Sequence, residues 1–311
     1  MSLSAFAGCA GANQKIMFEP YWNDNVSSGA IEIDETLTYS VKYDNENVSQ
    51  LVNYTLDYTD GIYTTHLVGE KVNGELIYTY TTELNINVKF TLGSESKEFT
   101  DVMTSEVKFK FASLQPISSK KEFKSHSPND GQSVTLKDCY EFYHYAVETT
   151  YLDDCTGGTT VIKNLDPDHP KDNDYSFEIN QAKLTYLDNE QLLFALRGIR
   201  PTTTSAKVNV YSPFVNTVQK VSISFATEET REATFSTDGK EAKKNNITVR
   251  PASIVLDERN PGATQKAFVA KHSEAEGSNK NHNVLVYWET PIAYNLGTLQ
   301  YNLQSMTYIK K

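Results

Sequence analysis

The chain has 311 residues, 39% of them hydrophobic, and a formal net charge of −11. The length suits one large domain or two of ordinary size. The acidic balance argues against a nucleic-acid backbone or an anionic membrane surface as partner, both of which call for clustered Lys and Arg, and no apolar run reaches the roughly eighteen residues of a membrane helix.

Residues 1–33 read as an address and a tether. Small and apolar residues lead into Cys9, and the polar Asn13, Gln14 and Lys15 follow. Phe6, Ala7, Gly8 and Cys9 resemble the lipobox that ends a bacterial lipoprotein signal peptide. The resemblance implies that Cys9 is lipidated and that the protein is held outside the cytoplasmic membrane by that lipid. Phe18, Tyr21 and Trp22 flank Pro20 as an aromatic anchor that docks on the core.

From Thr36 the pattern is β. The chain holds 19 Tyr and 14 Phe, residues that suit a pleated, half-buried surface. Leu37, Tyr39, Val41 and Tyr43 alternate with polar neighbours. Strands are predicted over 51–58 and 61–68, with a hairpin at Asp60-Gly61. Asn73-Gly74 predicts a second hairpin into 76–90, and Gly93-Ser94-Glu95 a turn towards Val107, Phe109 and Phe111. Residues 112–137 are rich in Ser and Lys and read as a long connection, an edge segment or a boundary. Beyond Pro213, strands are predicted over 215–225, 234–237, 247–249, 254–256, 284–288 and 299–303, with a strand or helical turn at 263–271.

Phe99–Pro128 is echoed by Leu184–Pro213. Thr100/Thr185, Phe109/Phe194, Pro116/Pro201, Ser127/Ser212 and Pro128/Pro213 are identical in a gapless alignment. The echo predicts a duplicated β unit, with a first repeat at 34–133 and a second at 134–311, which could join as one continuous domain. Local propensity dissents within the second copy, because Asp188 could cap a short helix ending at Gly198.

Few residue sets carry chemistry. Outside the cytoplasm Cys139 and Cys155 form a natural pair, and a disulfide between them would contribute about 3 kcal/mol in the loop-entropy model; two buried thiols are the alternative. Asp166, Asp168, Asp172 and Asp174 offer oxygen ligands of the kind calcium takes, but without the Gly and terminal Glu of an EF-hand they read as a solvated loop. The six histidines have no zinc-ligand spacing, and no nucleophile elbow or phosphate-binding loop occurs. No metal, cofactor or catalytic residue is expected.

The run Asp34 to Asn45, the Ser-Pro segments and the stretch Leu296 to Leu303 resemble the uncharacterised surface lipoproteins of Gram-positive gut bacteria. Leu37 to Tyr43, opening a meander with little helix, is similar to the LolA-like and DUF3108-like carriers built on a curved half-barrel sheet. The expectation is an all-β, mostly antiparallel, strongly curved sheet, as a half-barrel or sandwich. The expected function is non-catalytic: an extracytoplasmic, lipid-anchored protein holding a lipid or other hydrophobic ligand on an apolar concave face. The alternative is a structural or adhesive module that binds protein or cell-envelope glycan through exposed aromatics. A carboxylate-based envelope hydrolase ranks behind both.

Overall fold

The computed structural model describes residues 18, 33–46, 48, 52–111, 113–153, 157–168, 172–178, 186–214, 216–256, 264–271 and 283–310. They form a single branched sheet. In chain order its strands are β1 (Ile33–Asp44), β2 (Thr55–Val72), β3 (Glu75–Leu92), β4 (Glu95–Lys110), β5 (Pro116–Pro128), β6 (Tyr140–Tyr151), β7 (Gly157–Asn164) and β8 (Asp172–Glu178). These are followed by β9 (Tyr186–Asp188), β10 (Ser205–Ser212), β11 (Thr217–Phe225), β12 (Glu229–Thr237), β13 (Lys243–Val255), β14 (Thr264–Ala270), β15 (Leu285–Pro291) and β16 (Thr298–Lys310). Among the described residues the one α-helix, α1, spans Leu192–Leu196.

Five strands close on themselves. β16 pairs with β15, β15 with β14, β14 with β13 and β13 with β12, and β12 returns to β16 through a short parallel bridge, Ser236 to Ser305 and Thr237 to Met306. From β16 the sheet runs out as an antiparallel wing through β1 to β8. A second branch, β11–β10–β9, leaves β13. The alternation seen in the sequence sets the faces. Ile33, Leu37, Tyr39 and Val41 of β1 point inward, and so do Leu76, Tyr78, Tyr80 and Leu84 of β3. They share one core with Trp288 and Tyr301 of the barrel, whose rings stack at 4.2 Å.

Several expectations change here. Asp60-Gly61 is not a hairpin: β2 runs straight through it, with a register shift between Thr59 and Ile62. Asp60 takes φ +52°, and a Cβ on Gly61 would come within 2.6 Å of Val41 Cβ. The dipeptide therefore makes a bulge where the sheet must bend and β1 lies too close for a side chain. Asn73-Gly74 (φ +52° and +85°) does turn the chain between β2 and β3. Residues 116–128 are an interior strand, paired to β4 and β6, rather than a connection. The sheet runs on past residue 133, because β5 pairs with β6. The segments 247–249 and 254–256 belong to one strand, β13, and 264–270 is a strand.

The two echoed stretches fold differently. Residues 99–128 are a β4–β5 antiparallel hairpin, whereas 186–212 comprise β9, two helical turns and β10 parallel to β9. The aligned phenylalanines nevertheless meet, with Phe109 and Phe194 rings 5.4 Å apart.

Candidate functional site

The inner face of the wing is covered by residues 186–198. Asp188 caps this segment: its Oδ1 accepts from the Glu190 amide at 3.0 Å, and its own amide donates to Gln191 Oε1 at 2.9 Å. The next residues wind into α1 and press Phe194 against Tyr80 (5.2 Å) and Phe109. Buried charge fixes both ends. Lys121 of β5 donates to Asp188 Oδ1 at 2.8 Å and to Asn189 Oδ1, and the Tyr151 hydroxyl donates to Asp188 Oδ2 at 2.6 Å. Arg197 donates to both oxygens of Glu35, at 2.6 and 2.7 Å. Burial alone would raise the Asp188 pKa. The Lys121 ammonium and the hydrogen bonds from Lys121, Ser119 and Tyr151 outweigh it and hold the carboxyl below its usual range. Burial drives Tyr80 up to about 12.

The cover does not reach the whole inner face. One cross-strand row runs Tyr63, Leu84, Met103, Phe123, Tyr145 and Asn164 from β2 to β7. It starts in the core, where Leu84 is 7% exposed, and emerges at Met103, which is 39% exposed. There Phe123 and Tyr145 stack side by side, with centroids 5.6 Å apart and planes at 29°. Phe214, from the turn between β10 and β11, lies edge-on to Phe123 at 5.0 Å and is 46% exposed. These side chains make an aromatic shelf at the open end of the inner face. Polar groups border it. Glu190 lies beside Lys121 at 3.7 Å, one row inward, and the Tyr143 hydroxyl donates to Glu141 on the other side. Burial and then Glu141 push Tyr143 up to about 12.

The outward face of the same strands carries a trough of about 480 Å³. Its rows are Thr64, Glu83, Thr104, Glu122 and Ala146, and beside them His66, Thr81, Glu106, Lys120 and Glu148. Glu106, Glu122 and Glu148 are solvent-facing and lie near Lys108, His144 and Lys120, respectively. Such exposed pairs are worth about 0–1 kcal/mol.

Of the residues singled out in the sequence, Cys9 and Cys155 lie outside the described residues. Cys139 is a free, buried thiol 3.8 Å from the Thr135 carbonyl, not half of the expected bridge. Asp166 accepts the Asp168 amide in a tight turn after β7, while Asp172 and Asp174 are on β8. Among the described residues no group of three His, Cys, Asp or Glu could hold a metal ion.

Sequence reasoning missed the shelf. Its signal was the run Phe142-Tyr143-His144-Tyr145, aromatic on both faces of one strand. That pattern shows no polar side, so it does not read as an ordinary half-wet strand.

No family model and no curated protein match the chain. Among solved structures, the fold is similar to that of a β-barrel-like protein from Brucella abortus, of the domain of unknown function DUF1849. The TM-score is 0.51 at 8% identity, over 90% of this chain and 100% of that one. The likeness is one of fold: the chain is an all-β, β-barrel-like protein.

Proposed function

We propose that this is a non-catalytic binding protein that takes its partner on the aromatic shelf of the inner face. The observation that carries this reading is the emergence of a core row into solvent at Met103, Phe123 and Tyr145, with Phe214 beside them. Exposed aromatic clusters on a rigid sheet mark interaction sites. The rest of the inner face is packed by Phe194, Leu192, Leu196 and the barrel aromatics. A hydrophobic ligand would therefore lie in the open on the shelf rather than inside the barrel, which favours a surface-binding module over an enclosing carrier. The lipobox-like stretch ending at Cys9 supports a lipid tether outside the cytoplasmic membrane, so an envelope component is the natural partner.

Met103 is its own reporter. Mild peroxide treatment oxidises an exposed methionine, and Met306, 1% exposed, serves as the internal control. An envelope fraction should slow oxidation at Met103. Equal oxidation with and without that fraction would refute the proposal. Labelled fatty acid incorporated into the native protein but not into Cys9→Ser would support the tether.

A further inference from the structure

We infer that the shelf takes a carbohydrate without negative charge, neutral or amino-substituted. This inference rests on the binding role proposed above and names the ligand class. Shape comes first. The exposed part is a few side chains across, centred on Phe123, Tyr145 and Phe214. That is far short of the roughly 800 Å² per partner of a stable protein interface. It is also open, so an acyl chain laid on it would keep much of its length in water. A sugar ring fits such a place, because one face of C–H groups stacks on aromatics while its edge of hydroxyls needs hydrogen-bonding partners.

The rim supplies those partners. Glu190, whose side chain is 32% exposed, lies on the β5 side of the shelf, and Glu141 lies on the other side next to Tyr143. Tyr294, at the tip of the β15–β16 connection, is exposed. Carboxylates accept hydroxyl protons or pair with an amino group, and they repel a uronate or a sulfate. Lys121, one row inward of the shelf on the same face, is already engaged by Asp188, Asn189 and Glu190 and is 5% exposed. The rim therefore selects against anions.

The test uses the soluble protein and three probes: an N-acetylglucosamine tetrasaccharide, a glucosamine tetrasaccharide and a galacturonic acid tetrasaccharide. Binding is read by saturation-transfer NMR. The expected result is binding of one or both of the first two, about tenfold weaker in Phe214→Ala, and no binding of the third. Phe214 is half exposed, so its substitution leaves the fold intact, and Glu141→Gln provides a second variant that should weaken the amino sugar selectively. Tighter binding of the uronate, or saccharide binding unchanged in Phe214→Ala, overturns the inference. If no saccharide binds while an envelope fraction still protects Met103, the carbohydrate class is wrong and the binding role stands. If Met103 is not protected either, both fall.

Discussion

Replacing Glu35 with leucine would leave the Arg197 guanidinium buried without its carboxylate. The two side chains are 1% and 3% exposed, and both oxygens of Glu35 accept from Arg197 at 2.6 and 2.7 Å. Glu35 belongs to the wing and Arg197 to the covering segment, whose carbonyl also accepts from Asn283 at 3.2 Å. Removing one partner of such a pair costs about 3–5 kcal/mol, because the remaining charge is stranded away from water. Replacing both with apolar residues of similar volume removes the stranded charge together with the attraction. Glu35→Leu/Arg197→Met should therefore be far less harmful than either single change, and could equal the parent. Urea unfolding of the parent, both single variants and the double variant gives the coupling energy directly. Single variants that each cost under about 1 kcal/mol, or a double variant that costs their sum, would refute the idea that the pair clamps the cover to the sheet.

Three further outcomes follow from the same geometry. The Asp188 carboxyl is lower in the folded protein than in the unfolded chain. Its contribution is thus complete above the unfolded value of about 3.9 and is lost as pH falls through the lower folded value; Asp188→Asn should flatten the acid side of the stability–pH curve, and an unchanged slope counts against the Lys121–Asp188 contact. Tyr80 is raised by burial to about 12, so its contribution holds below an unfolded value of about 10 and fades as pH climbs towards 12. Tyr80→Phe should reduce the alkaline loss of stability seen by circular dichroism. Gly61→Ala would push a methyl group to within 2.6 Å of Val41 Cβ and should destabilise by about 1–3 kcal/mol, the usual cost of overpacking. A neutral result by thermal unfolding would mean that β1 and β2 separate easily there.

Much of the wing was legible because its strands alternate. β1, β3 and the turn at Asn73-Gly74 follow from side-chain period and turn chemistry alone. So does the Asp188 cap, where local propensity prevailed over the resemblance to the β4–β5 stretch. β5 was hidden by its own inward residues: Ser119 and Lys121 point into the core, and the buried lysine is tolerable because Asp188, Asn189 and Glu190, far along the chain, meet it there. Asp60-Gly61 gave the right backbone conformation but the wrong element, since a bulge and a turn both want positive φ. The shelf depends on where the cover stops. That is set by pairings between distant strands, which no window of sequence contains.

The bridge between β12 and β16 also bears on how the chain is made. β16 pairs with β1, β15 and β12, so the first strand of the sheet gains its second neighbour only when the last has been synthesised. Until then β1 presents an unpaired edge, open to other chains. Contacts as distant as Ile33 with Lys310 make for slow folding. A cell making this protein must keep β1 from the wrong partner for the whole time the chain is emerging, and chaperone dependence during synthesis is the expected result.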